Sequence, residues 1–148
     1  MKKPNEGPPM KSRKKFIIFA HSGTYDKLYQ IVTLAITAAS MGRDTYIFLF
    51  FWALKRFVNE DFDLTKLSNE FGKEGEQLSR RIREINPISL KEILDDVRAM
   101  GNLKIYACTT AVKLMELEES VVKSKVDDIV GLTTLLELAD GAETQLFI

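Results

Sequence analysis

The sequence contains a single cysteine, Cys108, and a single histidine, His21. One cysteine cannot form a disulfide within the chain, and it excludes chemistry that needs two thiols in one polypeptide. A zinc site built from several Cys and His ligands is excluded for the same reason, so we expect no bound metal. If Cys108 is reactive, its partner thiol must therefore come from another molecule or another subunit.

The sequence also lacks an excess of charge of either sign, because 21 basic residues balance 21 acidic ones. This balance gives no support for nucleic acid as a general partner. The sequence contains neither a G-x-G-x-x-G nor a Walker pattern, so nucleotide binding has little support and we expect no cofactor.

Long uninterrupted hydrophobic runs are absent as well. Residues 31–54 are strongly apolar, but Gly42, Arg43 and Asp44 divide them. Each piece is shorter than the ~20 residues that a membrane-spanning helix needs. The basic N-terminal residues are not followed by the apolar core of a secretory signal. We therefore expect a cytoplasmic protein without a membrane span.

The chain divides into a tail and one domain. Residues 1–14 are rich in lysine and proline, which is typical of a disordered, solvated basic tail. In residues 15–148, short apolar runs typical of buried strands alternate with segments of helical periodicity. The patterns predict strands at 16–20, 45–51, 103–107, 127–130 and 144–148, and helices at 25–41, 76–84, 90–100, 109–117 and 132–139.

This alternation predicts an α/β fold: a three-layer sandwich with a mostly parallel five-stranded sheet and helices on both faces. Ligands bind such sheets beyond the carboxyl ends of the strands, near a switch in strand order. Residues 21–24, 52–56 and 108–110 all follow predicted strands. We therefore expect these three segments to share one crevice.

Cys108 is the candidate catalytic residue. It follows the apolar run 103–107 and precedes a helical pattern. At a helix N-terminus, the helix dipole and free backbone N–H groups favour the thiolate over the thiol. A lone cysteine is also often an unreactive core residue. Position alone leaves both interpretations open.

The other two segments contain the candidate substrate-binding residues His21, Ser22, Gly23, Thr24, Trp52, Lys55 and Arg56. His21 is suited to orient a substrate or donate a proton, or it makes only one loop hydrogen bond. The backbone of Ser22, Gly23 and Thr24 is suited to binding an anion where a helix begins.

Two further groups of charged residues are candidates for binding an anion. Lys55 and Arg56 follow Trp52 and either bind an anion or form a solvated pair. Arg80, Arg81 and Arg83 lie among glutamates, which favours a solvated helix face.

Four stretches, taken in order, resemble the DsrE/DsrF-like superfamily, in the branch often labelled DsrE-like or peroxiredoxin-family. Their motifs include Phe50-Phe51-Trp52-Ala53-Leu54 and Ile105-Tyr106-Ala107-Cys108-Thr109-Thr110. The stretches lie within 16–27, 39–54, 105–115 and 126–148, so the resemblance covers the chain from about residue 15 onwards. The segment 58–86 departs from it by being charged.

The resemblance implies a homo-oligomer that acts as a sulfur carrier or sulfurtransferase. Cys108 would hold sulfane sulfur or thiosulfate, as a persulfide or an S-thiosulfonate, and pass it to a TusA-like sulfur-carrier protein. The N–H groups of Thr109 and Thr110 would stabilise this small sulfur anion, and Lys55 or Arg56 would hold a sulfonate. The alternatives are a single-cysteine thiol oxidoreductase or peroxidase, and a non-catalytic binding or scaffold protein.

Overall fold

A computed structural model describes residues 13–148, which form a five-stranded parallel sheet with helices on both faces. The predicted α/β sandwich is confirmed. The predicted basic tail, 1–14, lies outside the described residues except for its last two positions.

The strands and helices alternate along the chain almost as the sequence pattern predicts. The strands are β1 (Lys15–Ala20), β2 (Asp44–Leu49), β3 (Leu103–Cys108), β4 (Asp128–Val130) and β5 (Thr144–Phe147). The helices are α1 (Tyr25–Ser40), α2 (Phe51–Val58), α3 (Gly72–Ile85), α4 (Leu90–Ala99), α5 (Thr109–Leu114), α6 (Glu119–Lys123) and α7 (Leu132–Ala139), with a 3-10 turn at Asn69–Phe71.

The strand order in the sheet is β4-β3-β2-β1-β5, and every neighbouring pair is parallel. The chain moves from β1 to β4 in one direction and then returns across the sheet to place β5 beside β1. The strand order therefore switches at β1, whose two neighbours are β2 and β5.

Alternating residues of the strands build two cores of unequal size. Ile18, Ile47 and Ile105 belong to the larger one, which is covered by α1, α2, α4, α5 and α6. On the opposite face, Phe19 and Phe48 pack with α7. Because one short helix covers this second face, several of its aromatic side chains reach solvent.

The sequence interpretation was wrong about where β2 ends. The strand was expected to run to residue 51, but it ends at Leu49, and α2 begins at Phe51. Phe51 adopts φ 37°, a left-handed conformation that is rare for a bulky residue. Helix α2 was not predicted, although Ala53, Leu54 and Phe57 are buried at helical spacing.

The segment after Cys108 also differs from the expectation of one helix over 109–117. Helix α5 ends at Leu114, and Glu116 takes a left-handed φ of 51°. A second helix, α6, follows at Glu119–Lys123. The left-handed residue interrupts the run of hydrogen bonds that one continuous helix would need.

Candidate functional site

The candidate site lies at the carboxyl edge of the sheet, where β1 meets β2 and β5. The N–H of Phe50 donates to the carbonyl of Ala20 at 2.8 Å, and the N–H of Ala53 donates to that of His21 at 3.3 Å. On the other side, the N–H of His21 donates to the carbonyl of Ile148 at 2.8 Å. These bonds bring the ends of three strands together at the switch in strand order, the usual ligand position in such sheets.

An aromatic cavity of about 460 Å³ opens at this edge. The rings of Phe19 and Phe147 stack in its wall with centroids 4.5 Å apart. Trp52 and Phe147 remain 60% and 72% exposed, so the cavity is open to solvent. Its lining residues are Phe19, His21, Phe50, Phe51, Trp52 and Phe147. One histidine among five aromatic rings makes a site suited to a ligand with a flat apolar part and few polar groups.

A second cavity, of about 410 Å³, shares His21 and Trp52 with the first. Its other lining residues are Ser22, Gly23, Thr24 and Arg56, so the structure brings the predicted segments 21–24 and 52–56 together. The hydroxyls of Ser22 and Thr24 lie 3.3 Å apart in the loop before α1.

Gly23 has a packing role at this cavity. A Cβ atom at this position would lie 2.8 Å from Trp52 Cβ, 3.1 Å from the Trp52 carbonyl oxygen and 3.2 Å from Arg56 Cγ. The first of these distances is shorter than normal contacts between carbon atoms. The loop can therefore lie against α2 only because residue 23 has no side chain.

The two cations of α2 have different surroundings. Arg56 is only 9% exposed, and its Nε lies 3.2 Å from Asp61 Oδ1 while Nη2 donates to the Leu64 carbonyl at 2.6 Å. Its guanidinium thus holds the loop that follows α2. The Nζ of Lys55 lies 5.9 Å from the centre of the Trp52 ring, a cation–π contact. Lys55 is therefore the cation available beside the aromatic residues.

Cys108 lies at the same edge of the sheet but apart from both cavities. It is the last residue of β3, two strands from β1, and neighbouring strands are about 4.8 Å apart. Its side chain is 3% exposed and belongs to the larger core. Neither Cys108 nor Thr109 and Thr110 line the two cavities. The two cavities therefore bring together two of the three predicted segments, and the third lines neither of them although α5 packs against α2.

The aromatic wall was not predicted, because the sequence pattern placed Phe19 and Phe147 only in two separate strands. Phe19 and Phe147 lie on neighbouring strands in register with each other, which the sequence alone does not reveal. The feature of the sequence that could have indicated an aromatic cavity is the position of Phe50 and Phe51 directly after a strand.

Over residues 13–148, no cluster of three or more His, Cys, Asp or Glu side chains is arranged to bind a metal ion. No helix in this range combines the length and the hydropathy required to cross a bilayer.

Comparison with solved structures places this fold among known ones. The ychN protein from E. coli aligns with a TM-score of 0.55 and 19% identity, covering 93% of this chain and all of the other. A conserved protein of unknown function from Bacteroides thetaiotaomicron, BT1422, aligns with a TM-score of 0.58 and 13% identity, covering 91% and 95% of the two chains. At such low identity these likenesses show the fold alone.

Comparison of sequences identifies the family. No curated protein matches the sequence. The model of the DsrE/DsrF/DrsH-like family matches residues 12–86, slightly more than half of the chain. The match includes the charged segment 58–86 and ends before Cys108. The resemblance noted in the sequence is therefore confirmed, and the chain belongs to the DsrE/DsrF/DrsH-like family.

Proposed function

We propose that this protein is a sulfur carrier that holds sulfane sulfur on Cys108 and transfers it to a partner thiol. The observation that supports the proposal most is the position of this cysteine. It is the last residue of β3, at the edge of the sheet where ligands bind in parallel α/β folds, and it directly precedes α5. Membership of the DsrE/DsrF/DrsH-like family is consistent with this chemistry.

The transfer needs no second cysteine in the chain. The Cys108 thiolate attacks the sulfane sulfur of thiosulfate, a new S–S bond forms, and sulfite leaves with the electrons of the broken S–S bond. An acceptor thiolate then attacks the outer sulfur of the persulfide. This second step releases the Cys108 thiolate and loads the acceptor, for which we propose a TusA-like carrier.

Burial of Cys108 sets a condition on this function. A side chain that is 3% exposed is not open to a donor unless the first turn of α5 moves. Thr109 is half-buried and Thr110 exposed, and both directly follow Cys108 in the first turn of α5. We propose that opening at this turn admits the donor and that the N–H groups of both threonines then bind its anionic end.

The candidate substrate residues receive separate roles in this proposal. Lys55 supplies the positive charge that attracts a sulfonate, because Arg56 is already bound to Asp61. His21, Ser22 and Thr24 line the neighbouring cavity and contact the partner or the rest of the donor.

Mass spectrometry tests the function. The native chain is incubated with thiosulfate or with a persulfide donor, and the peptide that contains Cys108 is examined for the mass of one added sulfur. We expect the adduct on the native protein and none on Cys108→Ser. An adduct that forms only after denaturation in urea would refute the proposal, because the folded thiol would then be inaccessible.

A second candidate function is a binding protein in which Cys108 only packs. Two observations favour it: the thiol lies in the core, and the aromatic cavity at the strand switch does not include it. The rate at which iodoacetamide alkylates Cys108 in the native state distinguishes the sulfur carrier from the binding protein. A rate faster than global unfolding allows, as local opening of α5 would give, supports the carrier, and a rate lowered by the same factor as global unfolding supports the binding protein.

We also propose that the chain forms a homo-oligomer in the cytoplasm. Trp52, Leu136 and Phe147 are large apolar side chains that are 60% to 72% exposed, and such side chains are enriched at subunit interfaces. A lone free thiol also suits a reducing compartment. Light scattering coupled to gel filtration should give a mass that is a multiple of 16.8 kDa; a mass of 16.8 kDa itself would refute the oligomer.

A further inference from the structure

A third cavity lies away from the carboxyl edge, between the loop at residues 65–69 and helix α3, and has a volume of about 640 Å³. Three cations line it, Lys66, Arg80 and Arg83, against one carboxylate, Glu76. Ser68 and Asn69 add neutral polar groups to the lining. The sequence interpretation treated this part of α3 as a solvated face, and neither the family match nor the proposed function assigns it a role.

The cations in this cavity have no anionic partner within residues 13–148. Glu76 and Arg80 have the i, i+4 spacing that favours an ion pair on a helix. The equivalent pairs Lys91–Asp95 and Glu119–Lys123 form at 2.6 Å. Over the same described range, no ion pair within 4.0 Å joins Lys66, Arg80 or Arg83 to a carboxylate. The cavity therefore carries a net positive charge.

One of these cations is held in place by neutral oxygens. Arg83 Nη1 donates to Ser79 Oγ at 2.6 Å and to Thr65 Oγ1 at 3.1 Å. The Ser79 hydroxyl in turn donates to the Thr65 carbonyl at 2.8 Å. These bonds orient the guanidinium and leave its charge uncompensated. An arginine oriented in this way suits a tetrahedral oxyanion, because its planar N–H groups match the spacing of the anion's oxygens.

We propose that this cavity binds the phosphate groups of a small phosphorylated ligand. The three cations would neutralise two or more negative charges, and Ser68 and Asn69 would complete the hydrogen bonds. The cavity is an open groove, because Lys66, Arg80 and Arg83 are all exposed, and its volume of about 640 Å³ exceeds what a single orthophosphate fills. A polyphosphate or a phosphate ester therefore fits it better than the free ion.

Calorimetric titration of the full chain with pyrophosphate tests the proposal. Orthophosphate and sulfate serve as smaller probes, and chloride at matched ionic strength serves as the control for screening. We expect pyrophosphate to bind more tightly than either smaller anion. Arg80→Gln and Lys66→Gln should each weaken binding by about tenfold or more, since each removes one charge-assisted hydrogen bond.

Arg81→Gln is the matched control. Arg81 is the next residue on the same helix and carries the same charge, but it does not line the cavity. We expect its loss to weaken pyrophosphate binding by less than about twofold, as a screened surface charge should.

Two results would overturn the proposal. Equal losses in Arg80→Gln and Arg81→Gln would mean attraction by net charge alone, and an absence of pyrophosphate binding would mean that there is no site. Circular dichroism confirms that each variant is folded. If Arg80→Gln does not fold, Lys66→Gln, which lies on the loop, provides the same test of pyrophosphate binding. Cys108→Ser should bind pyrophosphate like the wild type, so a failure of sulfur transfer leaves this result unaffected.

Discussion

Replacement of Gly23 by alanine tests the close packing between the 21–24 loop and α2. The added methyl would lie 2.8 Å from Trp52 Cβ and 3.1 Å from the Trp52 carbonyl oxygen. A rotamer change cannot move either atom, so the loop or the helix must shift. Overpacking of this kind costs about 1–3 kcal/mol. The variant also gains ~0.4–1 kcal/mol because its unfolded state has less conformational entropy.

The expected net loss in the free energy of unfolding is therefore about 1–2 kcal/mol. Urea denaturation measures it, followed both by fluorescence of the single tryptophan, Trp52, and by far-ultraviolet circular dichroism. The midpoint should fall by roughly 0.5–1 M, given the usual dependence of stability on urea for small proteins. The spectrum of Trp52 should also change, because its helix is displaced from the loop.

Gly131→Ala is the matched control. A Cβ at this position would meet no atom of residues 13–148 within 4 Å, and the backbone φ of −80° is accessible to alanine. The entropic gain and the weaker N-cap of α7 should roughly cancel, so we expect a change of less than about 0.5 kcal/mol. If both variants were equally stable, the inference that Gly23 is required by packing would be wrong.

Two further predictions concern ion pairs. Arg56→Met should lower the free energy of unfolding by about 2–3 kcal/mol, because it leaves the partly buried Asp61 carboxylate without its counter-charge and the Leu64 carbonyl without its donor. Adding Asp61→Asn should recover part of this loss in urea denaturation, and no recovery would contradict the ion pair. The hydrogen bond from Lys14 holds the pKa of Glu143 below its usual value, with Arg43 adding to the effect. The associated stability is present above the unfolded-state pKa of the carboxyl and is lost as pH falls through the lowered folded-state pKa. Lys14→Gln should return this pKa toward its usual value in an NMR titration, and an unchanged pKa would refute the assignment.

Most of the fold could be predicted because parallel strands buried on both faces leave a clear pattern. Apolar runs around Ile17 and Ile47 are typical of such strands, the shorter run around Ile105 is interrupted only by Lys104, and helical periodicity separates the three. The errors fell where the backbone takes an unusual conformation. Phe51 and Glu116 both have positive φ, but phenylalanine and glutamate do not indicate such a conformation in a sequence. Glycine does indicate it, as at Gly42.

The candidate site was predictable only in part. The rule that ligands bind at the carboxyl ends of strands correctly grouped His21–Thr24 with Trp52 and Arg56. It did not show that Arg56 is bound to Asp61, since that contact depends on how the loop after α2 folds back. The sequence interpretation assigned the arginines of α3, in the charged segment 58–86, to a solvated helix face. A helical pattern does not reveal which of these arginines face a cavity.

The sequence by itself determined the fold class, the family and the absence of a second cysteine, because these follow from periodicity, ordered motifs and residue counts. Only the tertiary structure decided that Cys108 is buried, that Phe19 and Phe147 form one wall of a cavity, and that Lys66, Arg80 and Arg83 line another. Burial and proximity depend on strand order and on how the loops pack. These are long-range properties that no local stretch of sequence contains.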